Sequence, residues 1–325
     1  MASSSLHFST PLRSLYSSPS LRRLPRIPFQ ASLFSPQPTT RKTLALSTGI
    51  SGVSGSDSGR FCWRAKASMA GTTTEKGKGK VEVFNSEEDL SVSLAKYTAD
   101  LANKFSKEKG SFTVVLSGGS LIKSLRKLVE PPYVDSVDWS TWHVFWVDER
   151  VVPKDHDDSN YKLAFDGFLS KVPILPGNVY SINDALPAEG AADDYETCLK
   201  HLVKSGVISV STATELPKFD LMLLGMGPDG HVASLFPGHP LVKETERWVT
   251  FIKDSPKPPP ERITFTFPVI NASAHIALVI CGAGKAGPVH AALGDGQNSD
   301  PLPVQMVSPE GELVWFLDKD AASKL

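Results

Sequence analysis

A chain of 325 residues with 41% apolar side chains can bury a substantial core without disulfide staples. Its 34 basic and 35 acidic residues nearly cancel, yet nine of the basic ones and a single acid, Asp57, fall in residues 1–70, which leaves 25 against 34 beyond them. A body that acidic argues against a general binder of nucleic acid or anionic membrane, and no run approaches the ~18 consecutive apolar residues of a membrane span.

Residues 1–70 open as MASSSLHFST and stay rich in Ser, Thr, Pro and Arg, with almost no acid and no sustained periodicity. That is the composition of a transit peptide, and a Ser-rich start without an Arg-studded amphipathic helix favours the plastid. Import receptors are therefore expected partners. Residues 71–80 read as a linker, which places the folded domain over 81–320. At the other end Ser323-Lys324-Leu325 matches a receptor-read peroxisomal address and suggests a second destination behind the first.

Within the domain, Ser86 followed by Asp89 reads as a helix N-cap, with Leu90, Leu94, Tyr97, Leu101 and Phe105 at helical spacing behind it. The run 112–116 is a short strand ending in Ser117-Gly118-Gly119-Ser120. A helix through Leu121, Leu125 and Leu128 should follow until Pro131-Pro132 stops it. Residues 143–147 form the next strand, ending in Asp148-Glu149-Arg150, and a loop with Asp155, His156, Asp157 and Asp158 leads to a helix over 160–169. A further helix spans 189–204. Strands are predicted at 219–224, 263–267, 275–281 and 312–317, with Gly282-Ala283-Gly284-Lys285 opening a helix that runs to Leu293. Strands alternating with helices imply a mostly parallel α/β sheet covered on both faces, whose ligands sit beyond the carboxyl ends of the strands.

The residues with chemical potential lie in those loops. In Ser117-Gly118-Gly119-Ser120 two glycines allow close backbone approach to an anion, although a tight turn explains them as well, and Walker A spacing is missing. Gly225-Met226-Gly227-Pro228-Asp229-Gly230 formally fits a dinucleotide fingerprint. Leu235-Phe236-Pro237-Gly238 breaks the helix that such a site needs, and no ribose-binding acid follows, so NAD(P) is discounted and no cofactor is expected. His231, two residues after Asp229 in a loop too rich in Gly and Pro to be core, suits proton transfer near neutrality. A turn-forming Asp explains Asp229 equally well on local grounds. Arg150, Arg262 and Lys285 are candidate anion clamps, each an ordinary surface cation if taken alone. No G-x-S-x-G elbow is present. His239, His156, Asp157 and Asp158 lack a metal-binding spacing, Cys62, Cys198 and Cys281 lack a pattern, and no metal is expected.

Taken together, LSGGS at 116–120, VDERVVPKDHDDSNY at 147–161, LLGMGPDGHVASLFPGH at 223–239 and RITFTFPVINASAHIALVICGAGKA at 262–286 resemble the 6-phosphogluconolactonases over roughly residues 81–317. The flanking segments add a resemblance to plant members. The resemblance implies an open, doubly wound sheet with a small flanking element, shared with glucosamine-6-phosphate deaminases. It also implies hydrolysis of 6-phospho-D-glucono-1,5-lactone in the oxidative pentose phosphate pathway; separately, the protein is expected to be a monomer. By carry-over His231 is the general base with Asp229 beside it. Ser117, Gly118, Gly119, Arg262 and Lys285 match positions around the substrate phosphate, Arg150 lies at the sugar end or the oxyanion, and Asp148 is a further substrate-binding candidate. Two alternatives remain open: a hexosamine-phosphate deaminase or isomerase, and a non-catalytic sugar-phosphate-binding protein. Val232-Ala233-Ser234-Leu235-Phe236-Pro237 after the DGH tripeptide, and Arg150 where deaminases usually carry Tyr, favour the lactonase.

Overall fold

Near-continuous apolar strands such as FTVVL and LMLL fit only a sheet covered on both faces. The computed structural model describes residues 79–294 and 300–325. The proposed transit peptide, and the linker up to residue 78, lie outside them. The chain begins with β1 (Lys80–Phe84), α1 (Glu87–Lys109), β2 (Phe112–Leu116), α2 (Ser120–Ser124), α3 (Tyr133–Ser136), β3 (Trp142–Trp146), β4 (Asp148–Arg150) and α4 (Asn160–Gly167). It continues through α5 (Ala188–Lys204), β5 (Ser209–Val210), β6 (Pro217–Lys218), β7 (Leu221–Leu224) and β8 (Val249–Ile252). The last elements are β9 (Arg262–Phe265), α6 (Phe267–Asn271), β10 (His275–Ile280), α7 (Ala286–Leu293) and β11 (Glu312–Asp318).

Six strands form one wholly parallel sheet in the order β1-β11-β10-β7-β2-β3. Alternation along each strand sorts its side chains into two cores. Phe112, Val114, Leu116, Val144, Val279 and Phe316 pack beneath α1, α2 and α4. Val115, Phe145, Met222, Ile276, Leu278 and Trp315 pack against α5, α6 and α7. The α1 start is the expected cap: Ser86 accepts from Asp89 N at 3.1 Å, and Gly110, at φ 78°, ends the helix in the left-handed conformation.

Topology decides where a ligand can enter. From β2 the chain moves outward to β3; from β7, the neighbour of β2 on its other side, it moves the opposite way to β10 and β11. The loops after β2 and β7 therefore part and leave a crevice between them, the switch point at which α/β sheets bind ligands.

The structure differs from the sequence reading in several places, the unexpected short strands β5, β6 and β8 among them. The helix through Leu121 stops at Ser124 and tightens into a 3-10 turn, Leu125–Val129, as the chain approaches Pro131-Pro132. Lys80, assigned to the linker, is already the first residue of β1. Asp148-Glu149-Arg150 is a strand in its own right: after Val147 the chain leaves the main sheet, and β4 pairs antiparallel with β9, which pairs with β8. The run 263–267 accordingly belongs to this small flanking sheet, with Phe267 passing into α6, where Pro268 occupies the first turn. The whole is an open, doubly wound α/β fold with helices on both faces and a three-stranded antiparallel appendage.

Candidate active site

The crevice at the switch point is a small, solvent-open cleft with a cavity volume of about 140 Å³. Ser117, Gly118 and Gly119 line it from the loop after β2, Asp148 and Arg150 from β4, His231 from the loop after β7, Arg262 from β9, and Lys285 from the turn after β10. Of the nine residues singled out in the sequence, only Asp229 lies behind this lining, where it supports His231.

The β7 loop is built around that support. Gly227 N donates to His231 O at 2.9 Å and Gly230 N to Gly227 O at 3.0 Å, with Gly230 at φ 82° closing the turn. No helix follows as a dinucleotide site would need; the next helical turn is the 3-10 segment Pro240–Lys243. The turn brings His231 Nδ1 to 2.6 Å from Asp229 Oδ1. A carboxylate accepts only, so Nδ1 carries the hydrogen and the Nε2 lone pair is left bare. Nε2 makes no hydrogen bond among the described residues. The ring packs on Phe236, 4.6 Å between centroids. Burial lowers the His231 pKa below its ordinary 6.5 although Asp229 pulls upward. Asp229 itself is held down at about 2: burial pushes it up, and hydrogen bonds from His231 and Lys257 overcome that.

Arg150 and Arg262 stand directly opposite one another in the strand pair, and both line the cleft. Like charges directly opposite are unfavourable in a sheet. Burial and then Arg150 lower the Arg262 pKa. Arg150 Nη1 donates to Asp158 O at 2.8 Å, while its Nε is buried without a partner among the described residues. Ser117 Oγ is buried and unpartnered in the same cleft. Unsatisfied buried donors beside paired cations are features that an anionic, oxygen-rich ligand would complete. Arg262 is more committed: Nε donates to Pro259 O at 3.0 Å, and Nη2 to Lys257 O and Pro258 O, each at 2.9 Å. Its structural duty is thus to fasten the loop between β8 and β9. Lys285 Nζ donates to Met226 O, and burial lowers its pKa. Asp148 accepts from Ser234 Oγ at 2.8 Å.

Three contributors escaped the sequence reading. Asn160 Nδ2 holds Asp148 O at 3.0 Å, and a Cβ at Gly118 would fall 1.8 Å from Asn160 Oδ1, so this glycine is set by packing. Glu149, 2% exposed, accepts from Arg150 N, Asn160 N and Tyr161 N, each at 2.7 Å, and from Ser159 Oγ at 3.3 Å, tying β4 to the start of α4. Lys257 reaches Asp229 Oδ1 at 3.0 Å. Asn160 and Glu149 stood in the VDER…SNY stretch, where a capping pattern was the available signal. Nothing in the Pro-rich surroundings of Lys257 pointed to the histidine.

The α/β switch-point cleft joins a His–Asp pair to gathered cations, an arrangement suited to an anionic ligand, and the comparisons give the family. Residues 85–315 match the family described as glucosamine-6-phosphate isomerases/6-phosphogluconolactonase, and the chain belongs to that family. It is 73% identical over 248 residues to the probable 6-phosphogluconolactonase 4, chloroplastic, of Oryza sativa subsp. indica, covering 76% of each chain. It is 69% identical over 263 residues to 6-phosphogluconolactonase 3, chloroplastic, of Arabidopsis thaliana, covering 81% of this chain and 80% of that one. The crystal structure of 6-phosphogluconolactonase from Thermotoga maritima superposes with a TM-score of 0.61 at 33% identity, over 74% of this chain and all of the other.

Proposed function

We propose that this protein hydrolyses 6-phospho-D-glucono-1,5-lactone to 6-phospho-D-gluconate, in the oxidative pentose phosphate pathway, with His231 as general base. The observation that carries the reading is the Asp229-bonded imidazole whose bare Nε2 shares a cleft with Arg150, Arg262 and Lys285. The 69–73% identity to plant 6-phosphogluconolactonases supports the choice of substrate.

His231 Nε2 takes a proton from water as the oxygen attacks the lactone carbonyl. The carbonyl oxygen becomes an oxyanion, stabilised by Arg150 and loop N–H groups. When the bond to the ring oxygen breaks, the imidazolium returns its proton to that oxygen, and the new carboxyl group ionises in solution. Asp229 fixes the tautomer throughout. Ser117, Gly118, Gly119, Lys285 and the remaining donor capacity of Arg262 hold the phosphate, and Asp148 orients the sugar. The relatives' chloroplastic names support the plastid as destination. They give no peroxisomal counterpart, so that second address rests on Ser323-Lys324-Leu325 alone.

The test is lactone hydrolysis by the purified protein with freshly generated substrate, corrected for spontaneous opening. Rapid turnover is expected, falling at least ~10²-fold in His231→Ala. Turnover at the uncatalysed rate would overturn the activity, with glucosamine 6-phosphate the next substrate to try. Near-normal turnover in His231→Ala would overturn only the residue assignment.

A further inference from the structure

Lys257 has no part in the mechanism above, yet its ammonium stands 3.0 Å from Asp229 Oδ1 and 3.3 Å from His231 Nδ1. The same carboxylate oxygen takes the imidazole N–H at 2.6 Å. With Nδ1 protonated, the 3.3 Å approach is between two donors crowded onto one acceptor. The alternative tautomer, in which Nδ1 accepts from Lys257, would set a bare nitrogen lone pair 2.6 Å from a carboxylate oxygen, a repulsive contact.

The arrangement is held from behind. Ser255 Oγ donates to Lys257 O at 2.8 Å and accepts from Lys257 N at 3.3 Å. Arg262 grips the carbonyls of Lys257, Pro258 and Pro259. A long, flexible side chain is thereby delivered from a fixed main chain to Asp229, both side chains being about one-third exposed.

We propose that Lys257 is a positioning residue for the general base: by sharing Asp229 Oδ1 with the imidazole, it holds His231 neutral, Nδ1-protonated and bare at Nε2 towards the cleft. This rests on His231 being the base. The charged groups around the ring make the balance explicit. Asp229 from its own loop and Asp148 from β4 favour the imidazolium, while Lys257 from the β8–β9 loop opposes it. Burial against Phe236 opposes it too, and Lys285 and Arg262 bring further positive charge to the same cleft. Without Lys257 the two carboxylates lose their nearest opponent. The imidazolium formed during water attack would then be a weaker acid, slower to protonate the ring oxygen.

The experiment is an NMR pH titration of the His231 ring in the full chain without substrate, the resonance being assigned by its loss in His231→Ala. In Lys257→Met the His231 midpoint is expected to rise by about one pH unit, as removal of a neighbouring like charge requires. The acidic limb of kcat/KM should rise with it, and kcat on the alkaline plateau should fall as the imidazolium becomes the weaker acid. Lys257→Gln, which keeps a donor but no charge, should show the same rise, and Lys257→Arg should reverse most of it. An unchanged or lowered midpoint in folded Lys257→Met and Lys257→Gln overturns the proposal. Because the titration uses no substrate, a protein inactive on the lactone would refute the proposed reaction and still leave the role of Lys257 to be decided.

Discussion

Replacing Gly227 by Ala should disable the site while leaving the fold intact. A Cβ at this position falls 2.0 Å from His231 Nδ1, 2.1 Å from Cε1 and 2.5 Å from Asp229 Oδ1, where ordinary contact begins at 3.4 Å. The imidazole must therefore retreat by about 1.4 Å, or the turn must open. Opening is resisted by the Gly227–His231 and Gly230–Gly227 main-chain bonds, and by Val304 N on Gly230 O at 3.1 Å. Retreat of the ring stretches a 2.6 Å bond beyond any hydrogen-bonding distance. A misplacement of ~1 Å costs on the order of 10² in rate, and loss of a general base ~10²–10⁴, so turnover is expected to fall ~10²–10³-fold. KM should change little, because the anion-holding groups lie on other loops. The assay is initial-rate hydrolysis with the spontaneous rate subtracted, alongside urea unfolding to establish that the variant is folded. Gly225→Ala is the companion: no atom stands within 4 Å of its added Cβ, so the dyad should survive and its His231 titration should match the wild type. Near-wild-type turnover in a folded Gly227→Ala would refute the argument.

The folded-state pKa of His231 lies below 6.5, so the acidic limb of kcat/KM should have its midpoint below that value; a midpoint above it would contradict the buried, neutral imidazole. The same shift has a sign for stability. The unfolded imidazole protonates first as pH falls, so this group's contribution is present above pH 6.5 and is lost as pH drops through the lower folded value, which urea midpoints across that range would show. Glu149→Gln places an amide NH₂ where one carboxylate oxygen now accepts two hydrogen bonds. Burial pushes the Glu149 carboxyl up to about 7 against three main-chain N–H groups that favour its charge, so the comparison belongs at pH 8. A loss of about 2–4 kcal/mol is expected there from two unmet donors, and an unchanged urea midpoint would show that the β4–α4 tie is dispensable.

What the sequence disclosed was whatever local patterning governs. The Ser86 cap, the leucine spacing of α1 and the buried run of β2 all appear where they were expected, because each is decided within a few residues. The meeting of the loops after β2, β7 and β10 in one cleft was legible for a topological reason, since parallel strands send these ends to one edge. The rest depends on contacts distant in sequence. The exit of the chain at Val147 into a second sheet is fixed by pairing with residues more than a hundred positions later. The four-residue β8 carries too short an apolar run to announce itself beside Trp248. Lys257 belongs to SPKPPPE, a stretch without periodicity; Ser255 and the distant Arg262 hold its main chain where the ammonium reaches Asp229. Arg262 illustrates the same limit from the other side. Its charge suggested a ligand clamp, whereas most of its donors are occupied by main-chain oxygens.

The opposed Arg150 and Arg262 have a consequence beyond catalysis. A ligand that binds only the folded cleft they line links binding to resistance to unfolding. By mass action a ligand at a hundredfold excess over its Kd adds about 2.7 kcal/mol to stability, roughly a hundredfold fewer unfolded molecules. Proteases that act on opened chains would then find fewer of them whenever sugar phosphates are plentiful. A chain with its cleft filled is therefore harder to open than one with it empty.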